Sequence, residues 1–108
     1  MAMVTNNHMK SYMPPLPKPD EQGRFPALEY ARVSLARDVV RDRRAAGLTQ
    51  QELADLAKTR QETISRIESG KYTASVKLID KIDGVLQAAL KARSRKATKR
   101  PAKKGRAH

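Results

Sequence analysis

Cysteine and tryptophan are absent, phenylalanine occurs once and tyrosine three times. Without cysteine there is no disulfide framework and no thiolate zinc site, a pattern that fits a reducing compartment. So few aromatics leave a core of Leu, Ile, Val and Ala, and a small one. No apolar run approaches the roughly 20 residues that a membrane-spanning helix needs. The first residues also lack the continuous apolar stretch of a secretory leader, so a cytoplasmic, nucleoid-associated protein is expected. The two histidines, His8 and His108, fall in segments expected to be mobile. No nucleophile–base pair, metal-ligand spacing or phosphate loop occurs, and Ser65 and Ser69 have no histidine that a fold would bring near. An enzyme is therefore not expected, nor any metal or cofactor.

What the sequence has in excess is positive charge. The net charge is +12 over 108 residues, a length that allows one domain at most. Residues 91–108 hold nine Lys or Arg and no acid, whereas residues 25–90 hold eleven basic and nine acidic side chains. A nearly balanced body with a basic tail implies an anionic partner, nucleic acid before a membrane surface. The tail, residues 94–108, has no apolar stripe and is expected to be disordered. A charge run of this kind is usually a solvated face, but beside a DNA-binding domain it would add salt-sensitive phosphate affinity. Residues 1–24, with Pro14, Pro15, Pro17 and Pro19, are expected to form a disordered arm.

Between the arms, residues 25–93 carry helical periodicity. The first helix is expected to start at Pro26, a good first-turn residue. Leu28, Ala31, Arg32, Leu35, Val39, Arg43 and Ala46 follow three- and four-residue steps, widened by Ala36 and Val40. Gly47 suits a left-handed stop. Thr49 with Glu52 three residues on makes a capping-box pattern that opens a second helix, ending near Ala57. A turn at Lys58 and Thr59 leads to a third helix, to about Ser69, stopped by Gly70. Ser75 caps a fourth, with Val76, Ile79, Ile82, Val85, Leu86, Ala89 and Leu90 on one side and an end near Arg93. The fold class expected is all-α, a bundle of four to five helices flanked by disordered arms.

Residues 48–71 are the most informative stretch. Two helices this short cannot each bury a face alone, and they make sense as a helix-turn-helix whose second member enters a DNA major groove. Ile64 and Ile67 point inward on that member. Arg60, Gln61, Glu62, Thr63 and Arg66 lie at its start or outer face, where base edges come within reach. Arg suits guanine N7 and O6, Gln suits adenine N6 and N7, and the Thr methyl suits the thymine methyl. Glu62 could accept from cytosine N4, repel phosphate at wrong sites, or stand as a solvated acid favoured by the helix dipole. Gln50, Ser65, Lys71 and Tyr72 form the candidate phosphate set, with Gln50 at a helix N-terminus whose free N–H groups attract phosphate oxygens. Packing over the linker is the alternative for Tyr72. A helical hairpin without a DNA role is the alternative for the whole motif.

Arg43, Gly47, Leu48, Thr49, Gln50, Glu52, Leu53, Ala54, the run from Thr63 through Glu68, Gly70 and Lys71 together resemble the Cro/C1-type (XRE) helix-turn-helix family of phage repressors and bacterial regulators. The resemblance covers roughly residues 35–86 without a gap. It implies a lambda repressor-like fold and a sequence-specific regulator, most often a repressor, working on double-stranded DNA as a homodimer. It also implies that Gln50 contacts phosphate and supports Gln61, that Arg60, Gln61, Glu62 and Arg66 read bases, and that Arg43 and Glu68 form a structural ion pair. The chain departs from the family at three places. Lys58 stands where Gly is usual, residues 87–92 continue as helix where the family often turns, and residues 25–37 lengthen the first helix. That long first helix, with its FPALEYARVSLAR start, resembles those of HigA-like antitoxins, and the proline-rich arm points the same way. A second function follows: an antitoxin that binds a small RelE- or HigB-like toxin protein and autoregulates its operon.

Overall fold

The computed structural model describes residues 13–106, with the backbone alone for 97–106. Four helices follow one another: α1 (Ala27–Ala45), α2 (Gln50–Ala57), α3 (Gln61–Ser69) and α4 (Val76–Arg106). The described residues contain no strand. The chain is therefore all-α, as its 3.6-residue periodicity requires.

Local chemistry sets each boundary. Pro26 is the N-cap of α1 and has no side-chain cap bond. Phe25 just before it meets Tyr30 in the second turn edge-to-face, with ring centroids 5.1 Å apart, a staple that fixes the entry angle of the chain. At α2, the Glu52 N–H donates to Thr49 Oγ1 (3.0 Å) and the Thr49 N–H donates to Glu52 Oε1 (2.8 Å). Two otherwise orphaned donors are thus satisfied reciprocally. Gly70 ends α3 in the left-handed region (φ 79°). A Cβ there would lie 3.0 Å from Val33 Cγ2, so glycine lets the end of α3 close onto α1. Ser75 Oγ accepts from the Leu78 N–H (3.1 Å) and caps α4.

The core is one cluster to which every helix contributes: Val39 from α1, Leu53, Ala54 and Ala57 from α2, Ile64 and Ile67 from α3, and Ile82 and Leu86 from α4. Leu35, Leu48, Tyr72 and Val85 pack around it. No aromatic ring lies at its centre, which follows from the composition. Leu28 was expected on the buried stripe of the first helix but is exposed, whereas Val33 and Ala36 are buried. The physical reason is length: residues 27–32 carry no buried side chain, because the first turns of α1 extend past the elements it packs on. Val76, at the very start of α4, is exposed for the same reason.

The ends of the chain differ from expectation. Residues 13–24 run extended with a turn at Asp20, whose Oδ1 accepts from the N–H groups of Gln22 and Arg24 (2.9 Å each). Pro14 is buried, and its carbonyl accepts from Arg37 Nη1 (2.9 Å). Met13 and Pro17 are half-buried and the other residues of 15–24 are exposed, so the contact with the bundle centres on Pro14. Residues 1–12, with His8, are outside the described residues, as are 107–108. At the other end, α4 does not stop near Arg93 but continues to Arg106. Ala, Lys and Arg are strong helix formers, and adding residues to an existing helix costs far less than starting one. Arg93 itself reaches over the α1–α2 turn, where any Cβ at Gly47 (φ 75°) would collide with its guanidinium.

Candidate nucleic-acid interface

The helix-turn-helix is held by its turn and its back. Lys58 ends α2 in the left-handed region (φ 57°, ψ 49°). Its N–H donates to the Asp55 carbonyl (3.2 Å) and the Thr59 N–H donates to the Ala54 carbonyl (2.9 Å). A lysine in this conformation is strained by about 1–2 kcal/mol. The strain is tolerated because the buried faces on either side, Ala54 and Ala57 before it and Ile64 and Ile67 after it, over-determine the turn.

With Ile64, Ile67 and Glu68 buried, the remaining side chains of α3 are exposed or half-buried. Arg60, at the N-cap, is exposed, as are Gln61 and Glu62 in the first turn and Ser65 and Arg66 in the second; Thr63 is half-buried. Arg60 makes no side-chain cap hydrogen bond. Lys71 is exposed just beyond α3. Its N–H donates to Ser69 Oγ (3.2 Å), which in turn donates to the Arg66 carbonyl (2.6 Å). Tyr72 packs partly buried against the core, so its ring is a packing element first.

Behind this exposed rim runs a chain of polar contacts that reaches into the interior. Arg43 holds the Glu68 carboxylate with two bonds, Nε to Oε2 (2.7 Å) and Nη2 to Oε1 (3.1 Å). It spends a third donor, Nη1, on the Leu48 carbonyl (2.9 Å). The pair is well sheltered, with 15% and 7% of the side chains exposed. Bidentate geometry and full hydrogen bonding offset much of the desolvation of two charges. Glu68 Oε1 also accepts from Gln50 Nε2 (2.9 Å), and Gln50 Oε1 accepts from Gln61 Nε2 (2.9 Å). Four side chains from three helices thus tie the front of α3 to the α1–α2 corner. The structure brings Arg43, Gln50, Gln61 and Glu68 together; Arg60, Glu62, Thr63, Ser65, Arg66 and Lys71 surround them on the same side of α3 or at its ends.

Spacing alone had not placed Gln50 against Glu68, nor the Leu48 carbonyl on Arg43. Both contacts join residues from different elements, and only the capping box at Thr49, which fixes where α2 begins, hinted at them. A second feature has no signature in the sequence. Between α1 and α4 lies a cleft of about 390 Å³ with Leu35, Ile79 and Leu86 among its apolar walls and Asp38, Asp42, Asp80 and Asp83 around it. Arg41, at its edge, contacts Asp38 (3.1 Å) and Asp42 (3.0 Å). Its pKa is raised, first by the hydrogen bond to Asp42 and then by the attraction of both carboxylates.

Residues 40–90 match a family model described as helix-turn-helix. No curated protein sequence and no solved structure matches the chain. No described helix is long and apolar enough to cross a membrane.

Proposed function

Residues 40–90 belong to the Cro/C1-type helix-turn-helix family, a DNA-binding family of transcription regulators, and on that premise we propose that the protein is a sequence-specific repressor. In this reading α3 enters the major groove and Arg60, Gln61, Glu62, Thr63 and Arg66 meet base edges. Gln50, Ser65, Lys71 and, at the edge, the Tyr72 hydroxyl hold phosphates. The observation that carries it is the Gln61–Gln50 bond. It uses one of the two Gln61 amide hydrogens and leaves the other to donate to adenine N7 while Oε1 accepts from the N6 amino group. Gln50 likewise keeps one N–H for a phosphate oxygen.

Two copies would bind half-sites about 34–36 Å apart. The basic run 91–108 adds sequence-independent attraction to phosphate, and its excess of cations supports a place on the nucleoid in the cytoplasm. Selection of bound DNA from a random pool tests the reading: a palindromic motif is expected, and recovery of unrelated sequences contradicts it. Repeating the selection without residues 94–108 should return the same motif at weaker affinity, with a shallower salt dependence.

The acid-rimmed cleft between α1 and α4 favours a second reading, an antitoxin whose partner is a small basic toxin of RelE or HigB type. Co-expression with the product of an adjacent gene tests it. A stable complex that Asp38→Lys with Asp80→Lys disrupts supports the antitoxin, and failure to co-purify with either neighbour counts against it.

A further inference from the structure

We propose that Glu68 is a positioning residue for base selection: through Gln50 it fixes which end of the Gln61 amide is free to meet a base. The inference rests on the reading of α3 as the base-reading helix and adds to it a residue that touches no DNA.

An amide side chain has a donor end and an acceptor end of nearly equal shape, so its orientation is decided by its neighbours. A carboxylate only accepts. Arg43 grips Glu68 from one side and donates to both of its oxygens, so Glu68 has only acceptor capacity to offer Gln50. Gln50 must therefore turn Nε2 toward Glu68, which leaves Oε1 facing α3. Gln61 must then turn Nε2 toward Gln50. Each step follows from the one before, and the chain begins at a charge that is only 7% exposed. The outward atoms of Gln61 are consequently one N–H and the carbonyl oxygen, arranged to donate to adenine N7 and accept from N6. A reversed amide would set an N–H against the adenine N6 amino group and favour guanine O6 instead.

Arg43→Met with Glu68→Leu removes both charges together and leaves Gln50 without the acceptor that sets its polarity. Glu68→Gln is the control: with its oxygen at the Oε1 position it still accepts from Arg43 Nη2 and Gln50 Nε2, and only the bond to Arg43 Nε is lost, so the polarity stays as it is. Gln50→Leu cuts the chain at its middle and leaves Glu68 paired. Arg43→Lys keeps a cation and the carboxylate, so the polarity again stays as it is.

The test measures binding of the full chain to its selected site and to the same site with adenine replaced by guanine, at the one base pair whose preference Gln61→Ala relaxes. Thermal melts confirm that each variant is folded at the assay temperature. The wild type should prefer adenine by about 5- to 150-fold. Arg43→Met with Glu68→Leu, and separately Gln50→Leu, should each bring that ratio to about threefold or less. Preferences at the other positions should hold in both variants, and Glu68→Gln and Arg43→Lys should retain the adenine preference. If the double variant does not fold, Glu68→Ala assayed in its folded fraction takes its place. A wild-type preference that survives the loss of Glu68 overturns the positioning role and leaves the function intact. A wild type with no base preference anywhere overturns both.

Discussion

The two faces of α3 obey different rules. On the inner face, Ile64 and Ile67 are essentially inaccessible. What matters there is volume and fit, and the neighbours come from three other helices. On the outer face Arg60, Gln61, Glu62, Ser65 and Arg66 are exposed. What matters there is the identity of a donor or acceptor, because a side chain surrounded by water contributes little to folding. A nine-residue helix is too short to be stable by itself. Its outer face is rigid only because its inner face is buried. Glu68 is the exception that belongs to both, buried with the core yet hydrogen-bonded toward the front.

The comparison breaks first at its inner side. Ile64→Ala removes a fully buried side chain and should cost about 2–5 kcal/mol of unfolding free energy, measured by urea denaturation. DNA affinity should fall only as far as the folded fraction does. Glu68→Ala leaves Arg43 sheltered without its counter-charge, and a loss of about 3–5 kcal/mol is expected. Here base selectivity should fall as well, in the fraction that remains folded. A variant that lost stability and kept full selectivity would separate the two roles. Arg66→Ala should do the reverse: unfolding free energy within about 0.5 kcal/mol of wild type, but binding weakened by about 1–3 kcal/mol at a guanine and little elsewhere. The smallest effect lies outside α3. Gly84 sits in the interior of α4 with nothing within 4 Å of an added Cβ. Gly84→Ala should therefore raise the melting temperature, by about 0.5–1 kcal/mol of stability, and leave DNA binding unchanged.

Much of this was legible from residue types at fixed spacings. Thr49 with Glu52, Gly47 and Gly70 mark boundaries because their chemistry is local: a cap or a left-handed stop needs only its own few residues. Ile64 and Ile67 declared the inner face through periodicity, and the exposed rim of α3 followed by subtraction. The contacts of Gln50 were not legible at that level, because amide and carboxylate meet only once two helix axes are fixed. The N-terminal half of α1 misled for the opposite reason: Leu28 has the right spacing but no element opposite it to bury against. At the far end, Pro101 and Gly105 argue locally against a helix, yet α4 runs on to Arg106. The packing of Pro14 on α1 had no local signal at all.

Methylation protection at guanine N7 on the selected operator tests the central claim most directly, since that atom lies in the major groove and is the partner expected for an arginine of α3. Wild-type protein should protect guanines within each half-site, and Arg66→Ala, still folded, should lose protection at one of them. Protection confined to the minor-groove face of adenine, or a pattern that Arg66→Ala and Arg60→Ala both leave untouched, would contradict the placement of α3 against the bases.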